Sequence, residues 1–167
     1  MTGTTVEKEA VPNAGFWDQR AVLEWIQTNI HFVGGDSKKV TAMGISAGAG
    51  SVLHHLVLDG GKMDPLFTKA ILQSPGYTNF QDRAGLMEQN FKRLEDFAGC
   101  KDKGIACLRT VNETTLKTAS DKANGGQRQG SFAFGPCPDG KFIVNTPTLE
   151  FAAGEKNTRT LLFPYAS

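Results

Sequence analysis

The chain has 167 residues, of which 40% are hydrophobic and 21% charged, and its net charge is +1. That suffices for one hydrophobic core and excludes a disordered chain. The charge gives no reason to expect nucleic acid or an anionic membrane as partner, and no apolar run is long enough for a transmembrane segment.

Residues 1–10 (MTGTTVEKEA) are polar and hold no apolar stretch able to act as an export signal. They read as a flexible tail over residues 1–11, ahead of one domain over 12–167, and taken literally they leave the chain in the cytosol. Pro12, Asn13, Ala14 and Gly15 form a turn. From Phe16 to Ile30, apolar residues recur at helical spacing (Trp17, Ala21, Val22, Trp25, Ile26, Ile30), with Glu24, Gln27 and Thr28 facing away, so this helix is expected to bury one face. Gly34 and Gly35 permit the positive φ of a helix C-terminus and end it.

Val40, Thr41, Ala42 and Met43 form a β-branched and apolar run, and Val52, Leu53, Leu56 and Val57 then recur at helical spacing. Between them lies Gly44-Ile45-Ser46-Ala47-Gly48. A Gly-x-Ser-x-Gly pentapeptide between strand and helix is the setting of a nucleophile elbow, in which a strained serine stands clear of the sheet. Side chains two residues before or after would be expected to collide with the turn, hence glycine at 44 and 48. The Ala47 N–H, first in the helix, has no acceptor inside it and faces the place where an oxyanion would form. The alternative is a glycine turn that only lets helix and sheet pack closely.

The helix is expected to stop at Leu58, Asp59, Gly60 and Gly61. Residues 69–74 form a second strand, ended by Pro75 and Gly76, which completes a βαβ unit with parallel pairing. Asp82 caps a third helix running to Ala98 that buries Leu86, Met87, Phe91, Leu94 and Phe97. Cys100 and Cys107 close a short loop and read as a disulfide, their spacing being poor for zinc, while Cys137 is left over. A short helix is expected from Asn112 to Thr118, then a mobile stretch from Ala123 to Gly130, extended pieces at 132–134 and 142–144 around an Asp139-Gly140 turn, a helical turn at 148–153, and a third strand at 160–163. Asn112-Glu113-Thr114 is a glycosylation sequon, meaningful only in a secretory compartment. With the cysteine pair it leans toward an exported ancestor, although this chain shows no signal peptide.

Taken together, the residues resemble the type B carboxylesterases, the family of cholinesterases and many fungal esterases and lipases. The resemblance rests on Asn13-x-Gly15-x-x-Asp18-Gln19, Leu23-Glu24-Trp25-Ile26-x-x-Asn29-Ile30, Gly34-Gly35-Asp36, Val40-Thr41-x-x-Gly44-x-Ser46-Ala47-Gly48-Ala49 and Ala70-Ile71-Leu72-Gln73-Ser74. It continues through Cys100 with Cys107-Leu108-Arg109, then Phe134-Gly135-Pro136 to Asp139-Gly140 and Phe142, and so spans nearly all of 12–163. The chain departs from the family at Ile45, where Glu is usual, at Val33, usually aromatic, at Ser37, usually Pro, and at Cys137, where Val is common. Ile45 changes the polarity beside the serine and so bears on rate and substrate preference.

The resemblance implies an α/β class chain, an incomplete α/β-hydrolase fold with a parallel sheet, a nucleophile elbow and flanking helices. It also implies ester hydrolysis through Ser46, with no cofactor and no metal. Family members are far longer, and their glycine-rich oxyanion loop, triad acid and histidine fall outside the matched stretch. His54 and His55 lie eight and nine residues beyond Ser46 on its own helix, roughly 12 Å along the axis, too far to serve as base. His31 is expected at the surface or in packing, Asp36 and Asp59 as turn and helix-end residues, and Ser74, which follows a strand at the sheet's active end, as a cap in preference to a support for the site.

The expectation is a carboxylic ester hydrolase by fold and ancestry, with a small-molecule or lipid ester as substrate and little turnover in this chain alone. The alternative is a non-catalytic truncated fragment or pseudoenzyme acting as a binding module. A nucleotide-binding domain is disfavoured, because Gly44-x-Ser46-x-Gly48 lacks the glycine spacing and basic residue of a phosphate loop. Apolar sheet surface without cover is expected to favour self-association.

Overall fold

A computed structural model describes residues 1–76, 82–128, 131–154 and 160–162. The elements run α1 (Thr4–Glu9), α2 (Ala14–Asn29), β1 (Thr41–Ile45), α3 (Ala47–Leu56), a distorted single turn α4 (Leu58–Gly61), β2 (Lys69–Gln73), α5 (Glu88–Phe97), α6 (Gly104–Leu108), α7 (Glu113–Gly125), α8 (Pro147–Ala152) and β3 (Thr160–Leu162). Gly130, Phe163 and Pro164 lie outside the described residues. The chain divides into two compact units, Met1–Asn13 with Thr78–Cys137, and Ala14–Tyr77 with Pro138–Ser167.

The second unit holds the sheet. β1, β2 and β3 lie side by side in that order, all parallel, with Thr41 opposite Lys69, Ile45 opposite Gln73, and Lys69 opposite Thr160. Side chains alternate across a strand, so Ala70 and Leu72 of β2 point into a core that also holds Ala49, Val52, Leu53 and Leu56 of α3, with Phe67 beneath. β1 turns Thr41, Met43 and Ile45 the other way, where Met43 is 69% and Ile45 66% exposed. One face of the sheet is packed and the other is open among the described residues. A second cluster joins Phe16, Leu58, Phe142 and Ile143.

α2 forms where its periodicity placed it and passes at Ile30 into a 3-10 turn closed by Gly34 at φ 81°. Its buried face differs from expectation. Only Phe16 is buried and Leu23 packs against the α3 core, whereas Val22 and Trp25 are 59% and 60% exposed. Gln27, expected outward, donates to the carbonyls of Ser37 at 3.2 Å and Leu66 at 2.8 Å, because those loops bring bare carbonyls to that side of the helix. α3 stops as expected, with Asp59 at φ 49° and Gly60 at φ 60°.

The first unit is helical. Residues 4–9, expected within a flexible tail, form α1. Val6 is buried, and Glu88 accepts from the Thr5 amide at 2.9 Å and from its hydroxyl at 2.5 Å. Asp82 caps the next helix as expected, accepting from Gly85 N at 2.7 Å and Leu86 N at 3.0 Å, although the first turn is π-helical over Arg83–Met87. The buried face is Met87, Asn90, Phe91, Leu94 and Glu95, while Leu86 and Phe97 are exposed. The face is rotated because Asn90 bonds the Ala133 carbonyl at 2.7 Å and Glu95 accepts the Gly104 amide at 2.6 Å.

Cys100 and Cys107 form the expected disulfide, with Cα atoms 5.7 Å apart. α7 runs on to Gly125, well past Thr118, because Ala119 and Ala123 are buried. The stretch expected to be mobile is therefore helical in its first part. Residues 132–134 and 142–144 form no strand. Instead Asp139 folds that turn, its carboxylate accepting from Lys141 N at 2.8 Å and Ile143 N at 3.0 Å.

Candidate active site

The β1–α3 junction builds the site. Ser46 adopts φ 52°, ψ −121°, a conformation that L residues rarely hold and that persists only where its surroundings fix it. Three backbone bonds do so. The Ser46 amide donates to the Gln73 carbonyl at 3.0 Å, extending the β1–β2 ladder by one residue. The Ser46 carbonyl accepts from Gly50 N at 3.0 Å and Gly76 N at 2.9 Å. The bend is thus clamped between the first turn of α3 and the segment that leaves β2. Ser46 is exposed, its hydroxyl caps no helix N–H, and α3 begins at the next residue.

The two glycines are unequal. A Cβ at Gly44 would run into the Gly48 carbonyl and come within 2.5 Å of Ala49 N, so the close approach of strand and helix depends on glycine there. A Cβ at Gly48 meets nothing within 4 Å. The expected collision at 48 does not exist, because that position in the first turn of α3 faces solvent.

Ala47 is the first residue of the ten-residue α3, and its N–H lies at the positive end of the helix. Hydroxyl and amide stand together at the carboxyl end of the parallel strands, where α/β sheets bind ligands. Gly76 belongs to the same cluster and was not among the expected site residues. A Cβ there would sit 3.4 Å from the Ser46 Oγ. Sequence showed it only as the end of a strand, but parallel pairing of Ile45 with Gln73 requires the residues after Gln73 to pass beside the elbow.

The histidines take no part. His54 and His55 are buried, packed on Phe16 at ring separations of 5.1 and 5.8 Å, with His55 also 5.6 Å from Phe142 and 3.0 Å from the Gln19 side-chain oxygen. Burial, reinforced by the other histidine for His54 and by Arg20 for His55, pushes both down to about 4 from 6.5. His31 is exposed against Phe32. Asp36 caps a 3-10 turn by accepting from Lys38 N at 2.9 Å. Among the described residues Ser74 caps no helix, and it takes a left-handed φ of 44° at the end of β2. Among the described residues, no histidine or carboxylate is bonded to the Ser46 hydroxyl, and no group of three or more His, Cys, Asp or Glu is placed to hold a metal.

A cleft of about 250 Å³ opens on the packed side of the sheet between Leu23, Ala42, Val52, Phe67 and the Gln19–His55 pair, away from Ser46. Asn112 is the exposed N-cap of α7, Cys137 is buried, and no described helix is long and apolar enough to cross a membrane.

The model of the carboxylesterase family matches residues 3–166. A secreted lipase of Arthroderma benhamiae is 44% identical over 154 residues, covering 92% of this chain and 29% of that protein. An acetylcholinesterase of Danio rerio is 37% identical, covering 92% of this chain and 25% of its own length. Among solved structures, Aspergillus niger EstA superposes with a TM-score of 0.80 at 30% identity, over 98% of this chain and 32% of that one. The chain spans about a quarter to a third of the length of these relatives. A clamped Ser46 elbow on a parallel sheet, together with these matches, places the chain in the carboxylesterase family, as part of an α/β-hydrolase fold.

Proposed function

We propose that this chain carries the nucleophile of a carboxylic ester hydrolase. The observation that carries the reading is the exposed Ser46, held at φ 52° by amides from both sides with α3 starting beside it. Ser46 Oγ would attack the ester carbonyl carbon while the Ala47 N–H bonds the developing oxyanion. The alcohol would leave with a proton, and water would then release the acid from the acyl-serine.

A general base is needed to take the serine proton, and none of the described histidines reaches it. The 167-residue chain by itself is therefore expected to hydrolyse p-nitrophenyl butyrate little or not at all. In a longer reading frame that supplies an acid and a histidine, activity is expected, and Ser46→Ala should lower kcat by about 10³-fold or more. Full activity in that variant would overturn the assignment. None of the described histidines reaches Ser46, which leaves a second reading, a non-catalytic fragment acting through binding, and a longer frame without acid and histidine would exclude the first reading without showing what is bound.

The substrate class is a small-molecule or lipid ester, and Ile45 places an apolar side chain beside the nucleophile. The Cys100–Cys107 disulfide and the similarity to a protein named as a secreted lipase support export of the protein.

A further inference from the structure

We propose that Asn112 is an N-glycosylation site whose modification leaves the helix cap beneath it intact. Asn112-Glu113-Thr114 is the one Asn-x-Ser/Thr sequence in the chain. Asn112 is the N-cap of the 13-residue α7, at φ −66°, ψ 155°, and its Oδ1 accepts from the Thr115 amide at 2.9 Å. That bond fixes which end of the amide is used. The oxygen turns into the helix and the nitrogen turns away from it, with no hydrogen bond to Nδ2 among the described residues.

Arg109, Thr110, Glu113 and Thr114 are all exposed, so both the acceptor nitrogen and the hydroxyl that a transferase reads two residues on are open. The Cys100–Cys107 disulfide lies just before the sequon in the same compact unit. The compartment that closes it is also the one in which sequons are used.

In the reaction Nδ2 bonds to the anomeric carbon of an oligosaccharide carried on a lipid pyrophosphate. The bond from that carbon to the phosphate oxygen breaks, the lipid pyrophosphate leaves with the electron pair, and the amide gives up one proton. The product is still an amide with its carbonyl oxygen in place, so the bond from Thr115 N is retained.

The inference rests on the export reading, and its test does not depend on that reading. The chain is translated behind a grafted, cleavable export signal in the presence of rough microsomes, and only chains protected from added protease are scored. The expected result is one step of lower mobility, removed by endoglycosidase H and absent in Asn112→Asp and Thr114→Ala. Asn112→Asp keeps an oxygen for the Thr115 amide, and Thr114→Ala keeps the asparagine cap, so neither loses the step through loss of the helix. Protected wild-type chains with no step would overturn the proposal, as would a step that survives both substitutions. The export reading is tested separately, by recovering the native gene product from the culture medium with Cys100 and Cys107 joined.

Discussion

At Gly44 and Gly48 the same residue type meets opposite environments, and the difference is measurable. Ala at 44 must displace the first turn of α3 or the strand, and overpacking of this kind costs about 1–3 kcal/mol. Ala at 48 enters open space in a helix, where it is favoured over Gly by up to about 1 kcal/mol. Urea denaturation is therefore expected to show Gly44→Ala destabilised and Gly48→Ala neutral or more stable, and equal losses would contradict the packing described. The motif alone did not distinguish the two positions, because a pentapeptide pattern records where glycine occurs and not what a Cβ would strike. Ser46 was legible because its own strain, its flanking strand and its following helix are all local. Gly76 was not legible, because its amide reaches Ser46 only through the β1–β2 register.

At the level of elements, periodic segments with many apolar residues were legible and those held by a few polar contacts were not. The βαβ unit follows from local patterning over residues 40–73. α1 contributes one buried apolar side chain, Val6, and is tied down by Glu88, far away in sequence. The end of α7 depends on Ala119 and Ala123, which in sequence are indistinguishable from loop alanines next to two glycines. α3 carries a consequence of its own, since it begins just after Ser46 and near its end holds two buried histidines. Both are neutral in the folded state, with values near 4, and take protons near 6.5 once unfolded. Between those limits the unfolded chain binds more protons, so stability is fully present above about pH 6.5 and falls as pH drops toward 4. The combined loss is expected to be on the order of a few kcal/mol, because each tenfold difference in proton affinity between folded and unfolded chain is worth about 1.4 kcal/mol. The urea midpoint should fall between about pH 7 and pH 4.5, and it should fall less in a His54→Leu, His55→Leu variant. An unchanged pH dependence in that variant would place the titration elsewhere.

For the molecule as a whole, the sheet sets the behaviour of the isolated chain. A parallel sheet is normally covered on both faces, because its strands are apolar on both. Here α3 and its neighbours cover one face, while Met43 and Ile45 stand on the other, on a strand bonded along one edge among the described residues. A strand with an open edge and an apolar open face is a template for pairing with another chain. Val22 and Trp25 of α2 add exposed apolar surface in the same compact unit. Static light scattering after size exclusion should therefore give a mass that rises with concentration. Met43→Lys with Ile45→Glu should bring the mass to that of one chain, since charges on an open strand face have to be desolvated when two such strands pair. Both side chains stand on the open face and not on the packed one, so the stability of the monomer should change little. A single-chain mass for the unsubstituted protein at every concentration would mean that the open face is too small or too twisted to pair, whatever its composition.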